Sequence, residues 1–364
     1  MSSYFDERTD KTLYAIDEIL DTLPTFAREF NVGISMRTMP LTRLGYLRDI
    51  RVFCDYLCKK RFKNKEIVEL TLADIQELTP TDIEMFVDYL SSYTIGGKRY
   101  QCKEYAKGRK VSSLRAMFKY FYKREKLKND IMTKVDTPKT HLKPIIRLDV
   151  NEVVDILDEA EKGENLSGRQ KSFHGKTALR DEAMLSLFLG TGIRISECVG
   201  LNRNDIDFSN NSFIVTRKGG NTTVLWFSDE VAAALKKYMD WLDTQIAEKT
   251  PFGARVYDTD ALFISSKGGR ITPRAVELLV KKYAKAVTPL KKITPHKLRS
   301  TYGTNLYRET HDIFVVADVL GHKDVNTTRK HYAAMSEDIR RDAVSKIKLR
   351  DKPDGDDDNG DGGD

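Results

Sequence analysis

The chain has 364 residues, 40% hydrophobic and 32% charged, which suits a globular protein of about two domains. No stretch approaches the roughly 18 apolar residues of a membrane span, and MSSYFDERTDK lacks the apolar segment of a secretory signal. The expected setting is therefore the cytoplasm, with no membrane partner. The net charge is +7, unevenly spread: residues 351–364, DKPDGDDDNGDGGD, hold seven Asp against one Lys, so the rest carries +13. A basic body points to nucleic acid or another polyanion. The Gly/Asp run cannot bury a core and is expected to be a disordered acidic tail, solubilising or competing with that polyanion.

Helical periodicity marks 10–29, 41–61, 80–92 and 109–126. In the last of these, Val111, Leu114, Phe118 and Phe121 form an apolar stripe, and Arg109, Lys110, Arg115, Lys119, Lys123 and Arg124 occupy the other positions. Thr-Pro-Thr-Asp at 79–82 signals a helix start, with Asp82 or Thr81 as the cap. Cys54, Cys58, Cys102 and Cys198 form no CxxC pair and are read as core residues in a reducing compartment. Several short helices, one strongly basic, describe a small DNA-binding module over 1–140. TKVDTPKTHLKPIIRLDV (133–150) has two prolines and no period, which places a linker there and a boundary near 138–147. A new helix then begins, capped by Asp149 or Asn151.

The second half is mixed. GTGIRISE (190–197) shows an apolar helix broken by Gly190 and Gly192, followed by Arg194. NSFIVTRKGGNTTVLWFS (211–228) is a hairpin turning on Lys-Gly-Gly-Asn, with Lys218 at its tip. Helices follow at 229–247, 273–286, 295–308 and 312–320. A final amphipathic helix over 336–349 aligns Ile339, Ala343 and Ile347. The fold class is mainly α with a small β-sheet (α+β).

Cationic groups gather in this half. In TPHKLR (294–299), His296 and Arg299 are three apart on one helix face. LGHKDVNTTRKHY (320–332) adds His322 after a glycine, then Tyr332. Arg194 in its apolar setting needs a partner, and Glu197 is one turn away. Guanidinium groups grip phosphate oxygens in bidentate fashion. A histidine moves protons near neutral pH, a lysine can protonate a leaving alkoxide, and a tyrosine can form a phosphoester. No acidic constellation suggests a metal and no GxxxxGK[ST] suggests ATP, so no cofactor is expected and the cations supply the electrostatics.

TGIRISE, TRKGGN, HKLR and LGHKDVNTTRKHY, in this order over about 148–348, resemble the motifs of the tyrosine recombinase (phage integrase) family. VTRKGG, TPHKLR and the single-recombinase layout look most like its Xer branch, in the stand-alone XerS type. The resemblance implies a helical core-binding domain over 1–140 and a catalytic domain over 141–350, ahead of the tail at 351–364. It implies that Arg194, Arg299 and His322 bind the scissile phosphate, that His296 relays a proton, that Lys218 protonates the 5′ oxygen, and that Tyr332 attacks. It further implies double-stranded DNA with paired sites as partner, and a homotetramer on DNA joined through helix 336–349. Two departures stand out. Ser300 occupies the place where many relatives carry a second histidine, and Tyr332 lies ten residues after His322 where nine is common. Tyr302 and Tyr307 are the other nearby tyrosines, read as helix core or surface.

Charge alone nominates Arg43, Arg48, Arg109, Lys110, Arg115, Lys119 and Arg274 as DNA contacts. The short segment ahead of the core-binding helices favours chromosome dimer resolution, with a mobile-element integrase as the alternative. A type IB topoisomerase-like enzyme and a catalytically silent DNA-binding protein are the competing classes.

Overall fold

The computed structural model describes residues 4–139, 146–217 and 220–321, together with Val325 and Val344. The chain divides into two compact units, Met1–Lys143 and Pro144–Asp364. Among the described residues, no helix is long and apolar enough to cross a membrane.

The first unit is a helical bundle: α1 (Tyr4–Leu20), α2 (Thr25–Gly33), α3 (Pro40–Lys60), the short α4 (Leu72–Gln76), α5 (Pro80–Tyr89) and α6 (Glu104–Tyr122). The periodic stretch 10–29 is two helices, not one. Proline has no N–H for the helical ladder, and Pro24 stands in an extended conformation as the cap of α2. At α5 the cap is Thr79, ahead of both expected residues. Its hydroxyl accepts from the Asp82 N–H at 3.3 Å, and the Asp82 carboxylate accepts from the Thr79 N–H at 2.8 Å. This reciprocal pair satisfies two donors that a helix start leaves unpaired. A hairpin absent from the sequence reading, β1 (Tyr93–Ile95) and β2 (Lys98–Tyr100), turns on Gly96 and Gly97, both at positive φ.

Phe30, Phe53, Phe86, Phe118 and Phe121 fill the centre of this unit. A polar cluster joins α3 to α6. Asp49 on α3 is buried, and its carboxylate accepts from Arg109 at 2.6 and 2.7 Å, from Lys110 at 2.8 Å and from the Ser113 hydroxyl at 2.7 Å, all on α6. A carboxylate leaves water only where such donors replace its hydration.

The second unit opens with α7 (Val150–Lys162), α8 (Gly168–His174), α9 (Ala178–Thr191) and α10 (Ile195–Gly200). Asp149 caps α7 by a box with Glu152. A three-stranded antiparallel sheet follows, ordered β3 (Ile206–Asp207), β4 (Ser212–Thr216), β5 (Thr222–Trp226). Then come α11 (Asp229–Ala247), α12 (Pro273–Val287), α13 (Pro295–Thr310) and α14 (Ile313–Leu320). Gly190 does not break the apolar helix. It lies inside α9, where an added Cβ would sit 2.6 Å from Val231 of α11.

α9 runs through the core, burying Met184, Leu185, Leu187 and Phe188. Asp181 in its first turn is buried and accepts from Arg180 at 2.6 Å, Lys282 at 2.8 Å and the Tyr283 hydroxyl at 2.9 Å, the last two from α12. Burial alone would raise its pKa. Arg180 and Lys282 reverse this and hold the carboxyl below its ordinary value. The start of α7 is fastened to the far helices as well. The Leu148 N–H donates to the Thr301 hydroxyl of α13 at 3.0 Å, and Lys291 bonds Glu152 at 2.6 Å.

Two outcomes follow from these anchors. Asp49→Ala strands the buried Lys110 ammonium, and urea unfolding should show a loss of about 3–5 kcal/mol. A carboxyl with a lowered folded pKa stabilises the fold above its unfolded value, about 4, and loses that contribution as pH falls through the folded value. Asp181→Asn should therefore flatten the acid limb of the stability–pH curve below about pH 4, followed by circular dichroism.

Candidate active site

Arg194 reaches its place through a turn. α9 ends at Gly192, which is left-handed (φ 62°), and an added Cβ there would run into the Tyr302 ring. Only glycine takes this conformation at no cost. The chain then reverses and Arg194 caps α10. Glu197, 3% exposed, accepts from the Arg194 N–H at 3.0 Å and from its guanidinium at 2.7 Å. The expected partner is thus the observed one, and it fixes both backbone and side chain. The other end of the fork donates to the carbonyls of Leu320 (3.1 Å) and Gly321 (2.9 Å).

Arg299 arrives from α13. It is 6% exposed, and its guanidinium donates to the carbonyls of Gly192 and Leu320. Arg194 and Arg299, 105 positions apart in sequence, therefore meet on one carbonyl. That carbonyl closes α14, whose last oxygens have no partner within the helix and carry its partial negative charge. Carbonyl oxygens of this kind orient a guanidinium. His296 lies one turn before Arg299 and is exposed, at the start of α13 where Pro295 occupies the first turn. The Ser300 hydroxyl donates to the His296 carbonyl at 3.0 Å.

Tyr302 and Tyr307 are half-buried and pack with Val316 and Leu320. Burial raises the Tyr302 hydroxyl above its ordinary pKa, which disfavours it as a nucleophile. Lys218, His322, Tyr332, the helix expected at 336–349 (Val344 apart) and the tail 351–364 lie outside the described residues. Among the described residues, no group of three or more His, Cys, Asp or Glu is placed to hold a metal ion.

The residues nominated by charge separate into three groups. Arg48, Lys119 and Arg274 are exposed, Arg274 beside Glu277 at 2.8 Å. Lys110 and Arg43 are buried, and this corrects their nomination: Lys110 holds Asp49, and Arg43 donates to Asn31 at 3.3 Å. Arg109 is half spent on the same Asp49, and Arg115 donates to the Val135 carbonyl at 2.9 Å and to Thr137 at 3.1 Å. The sequence reading passed over one arginine altogether. Arg217, next to Lys218, donates to the Val319 carbonyl at 3.0 Å, beside the carbonyls that hold Arg194 and Arg299.

A hydrogen bond to a charged group contributes about 1.5–3 kcal/mol. Glu197→Ala should therefore slow any phosphoryl transfer that depends on Arg194 by about 10- to 100-fold, read as single-turnover DNA cleavage at saturating protein.

The chain as a whole is similar to known proteins. The model of the phage integrase family matches residues 147–338. The tyrosine recombinase XerS of Streptococcus agalactiae is 30% identical over 364 aligned residues, covering 92% of this chain and 98% of the relative. The tyrosine recombinase XerC of Oceanobacillus iheyensis is 27% identical over 317, covering 87% and 93%. Among solved structures, the XerH site-specific recombinase bound to palindromic difH substrate superposes with a TM-score of 0.62 at 21% identity, over 83% of this chain and 81% of that one. The Tn1549 transposon integrase with circular intermediate DNA gives 0.60 at 19%, over 88% and 99%. These two likenesses show the fold, and the family match with the long alignment to XerS shows the rest. The chain belongs to the phage integrase family and is a tyrosine recombinase, an enzyme of site-specific recombination that cuts and rejoins DNA.

Proposed function

We propose that this recombinase resolves chromosome dimers, acting on paired DNA sites through a 3′-phosphotyrosyl intermediate. The observation that carries the site assignment is the meeting of Arg194 and Arg299 on the end of α14, with Glu197 holding Arg194. In this reading both arginines, with His322, bind the non-bridging oxygens of the scissile phosphate. The Tyr332 hydroxyl attacks phosphorus and its proton passes to His296. The bond to the 5′ oxygen breaks, and Lys218 protonates that oxygen, leaving a free 5′-hydroxyl. The phosphotyrosyl bond stores the energy of the broken phosphodiester. A 5′-hydroxyl from the partner duplex reverses the steps, so rejoining consumes neither ATP nor metal.

The first unit acts as the core-binding domain and the second as the catalytic domain. Arg48, Lys119 and Arg274, exposed on the surface, are the nominated basic residues best suited to DNA. The active form is a homotetramer on two duplexes, each protomer donating helix 336–349 to a neighbour. The likeness to XerS and XerC along nearly the whole chain favours chromosome dimer resolution over mobile-element integration.

The test is to trap the protein on DNA in its own host. SDS-resistant adducts are recovered and the joined DNA is sequenced, with Tyr332→Phe as control. Adducts that vanish in the variant and map to one site near the replication terminus are the expected result. Adducts at the ends of a mobile element would replace dimer resolution with integration. Equal background in both proteins would overturn Tyr332 as nucleophile.

A further inference from the structure

Arg217 closes the β4–β5 hairpin with its backbone. Its N–H donates to the Asn221 carbonyl at 2.7 Å, and its own carbonyl accepts from Gly220 at 3.1 Å. Its side chain does something unrelated to the hairpin. The guanidinium lies against the C-terminal turn of α14, donates to the Val319 carbonyl at 3.0 Å, and leaves its buried Nε without a partner. It fills the space beside Gly321, where an added Cβ would run into it. Gly321 is left-handed (φ 60°), a backbone conformation that favours glycine.

Three guanidinium groups thus converge on three successive carbonyls: Arg217 on Val319, Arg299 and Arg194 on Leu320, and Arg194 on Gly321. The turn is the common support of the two phosphate-gripping arginines. Like charges packed this closely repel, so the turn must be held firmly if both forks are to keep their aim. α14 has only eight residues, too short to be rigid by its own ladder. Arg217 fastens its end to the sheet.

We propose that Arg217 is a positioning residue: it fixes the C-terminal turn of α14, and through the Leu320 and Gly321 carbonyls it sets where Arg194 and Arg299 meet the scissile phosphate. This rests on the reading of Arg194 and Arg299 as phosphate-binding groups. The effect is on alignment, and a misplacement of about 1 Å lowers the rate of a positioned reaction by about 100-fold. Binding of the DNA site, spread over many contacts, changes little.

The test uses the full-length chain and single-turnover cleavage of a nicked duplex, which traps the covalent adduct. Two substrates are compared, one with the ordinary scissile phosphate and one with an uncharged methylphosphonate there. The methylphosphonate has no anionic oxygen to neutralise, so it depends less on aimed arginines. Arg217→Ala should cleave the phosphate about 10- to 100-fold more slowly than wild type, with DNA affinity and thermal melting unchanged. On the methylphosphonate its deficit should narrow, as should that of Arg299→Ala. Arg217→Lys keeps one donor for Val319 and should fall between, which preserves the comparison if Arg217→Ala does not fold. A wild-type rate on the phosphate, or an equal deficit on both substrates while Arg299→Ala narrows, overturns the positioning role alone. If Arg299→Ala also fails to narrow, the arginine reading fails and this proposal with it.

Discussion

A buried guanidinium cannot shed its charge, and the second unit is organised around that constraint. Arg299 is almost wholly enclosed, so every donor it turns inward needs an acceptor. The carbonyls at the end of α14 and at Gly192 are among those acceptors and hold the group in place. Arg194, more open, takes the Glu197 carboxylate on one side and the Leu320 and Gly321 carbonyls on the other. The rest of the unit delivers these groups to one point. α9 ends left-handed at Gly192, α13 starts at a proline, and Thr301 ties α13 to the first residues of the unit.

The helical unit solves a related problem with the opposite sign. There the enclosed charge is Asp49, and the basic face of α6 supplies its partners. The same residue types therefore serve two ends. In the second unit, Arg194 and Arg299 are held on the carbonyls at the end of α14. In the first, part of the cationic surface is consumed in joining α3 to α6.

The sequence shows most plainly what depends on neighbours close along the chain. The hairpin over 211–228 and the helices expected at 229–247, 273–286, 295–308 and 312–320 appear within a residue or two of their expected bounds. Glu197 is one turn from Arg194, so its role is readable from spacing. Contacts between distant segments are not. Lys110 looks like one more solvated base on α6, because the acid that buries it lies 61 positions upstream. Arg217 beside Lys218 looks like ordinary surface charge, because its acceptor is 102 positions downstream. The β1–β2 hairpin has the right Gly-Gly turn, but three-residue strands give too short an alternation to register as a pattern.

Asp49 also changes how the basic face of α6 should be counted. Binding to DNA releases one condensed counterion for roughly each phosphate that a cation neutralises, and the logarithm of affinity falls with the logarithm of salt by about 0.9 per contact. Lys110 is enclosed against its carboxylate and Arg109 shares it, so neither brings a full free charge to the duplex. If this unit is the core-binding domain proposed above, the salt dependence of its DNA binding is set by the exposed bases that remain. It is shallower than the composition of the helix implies.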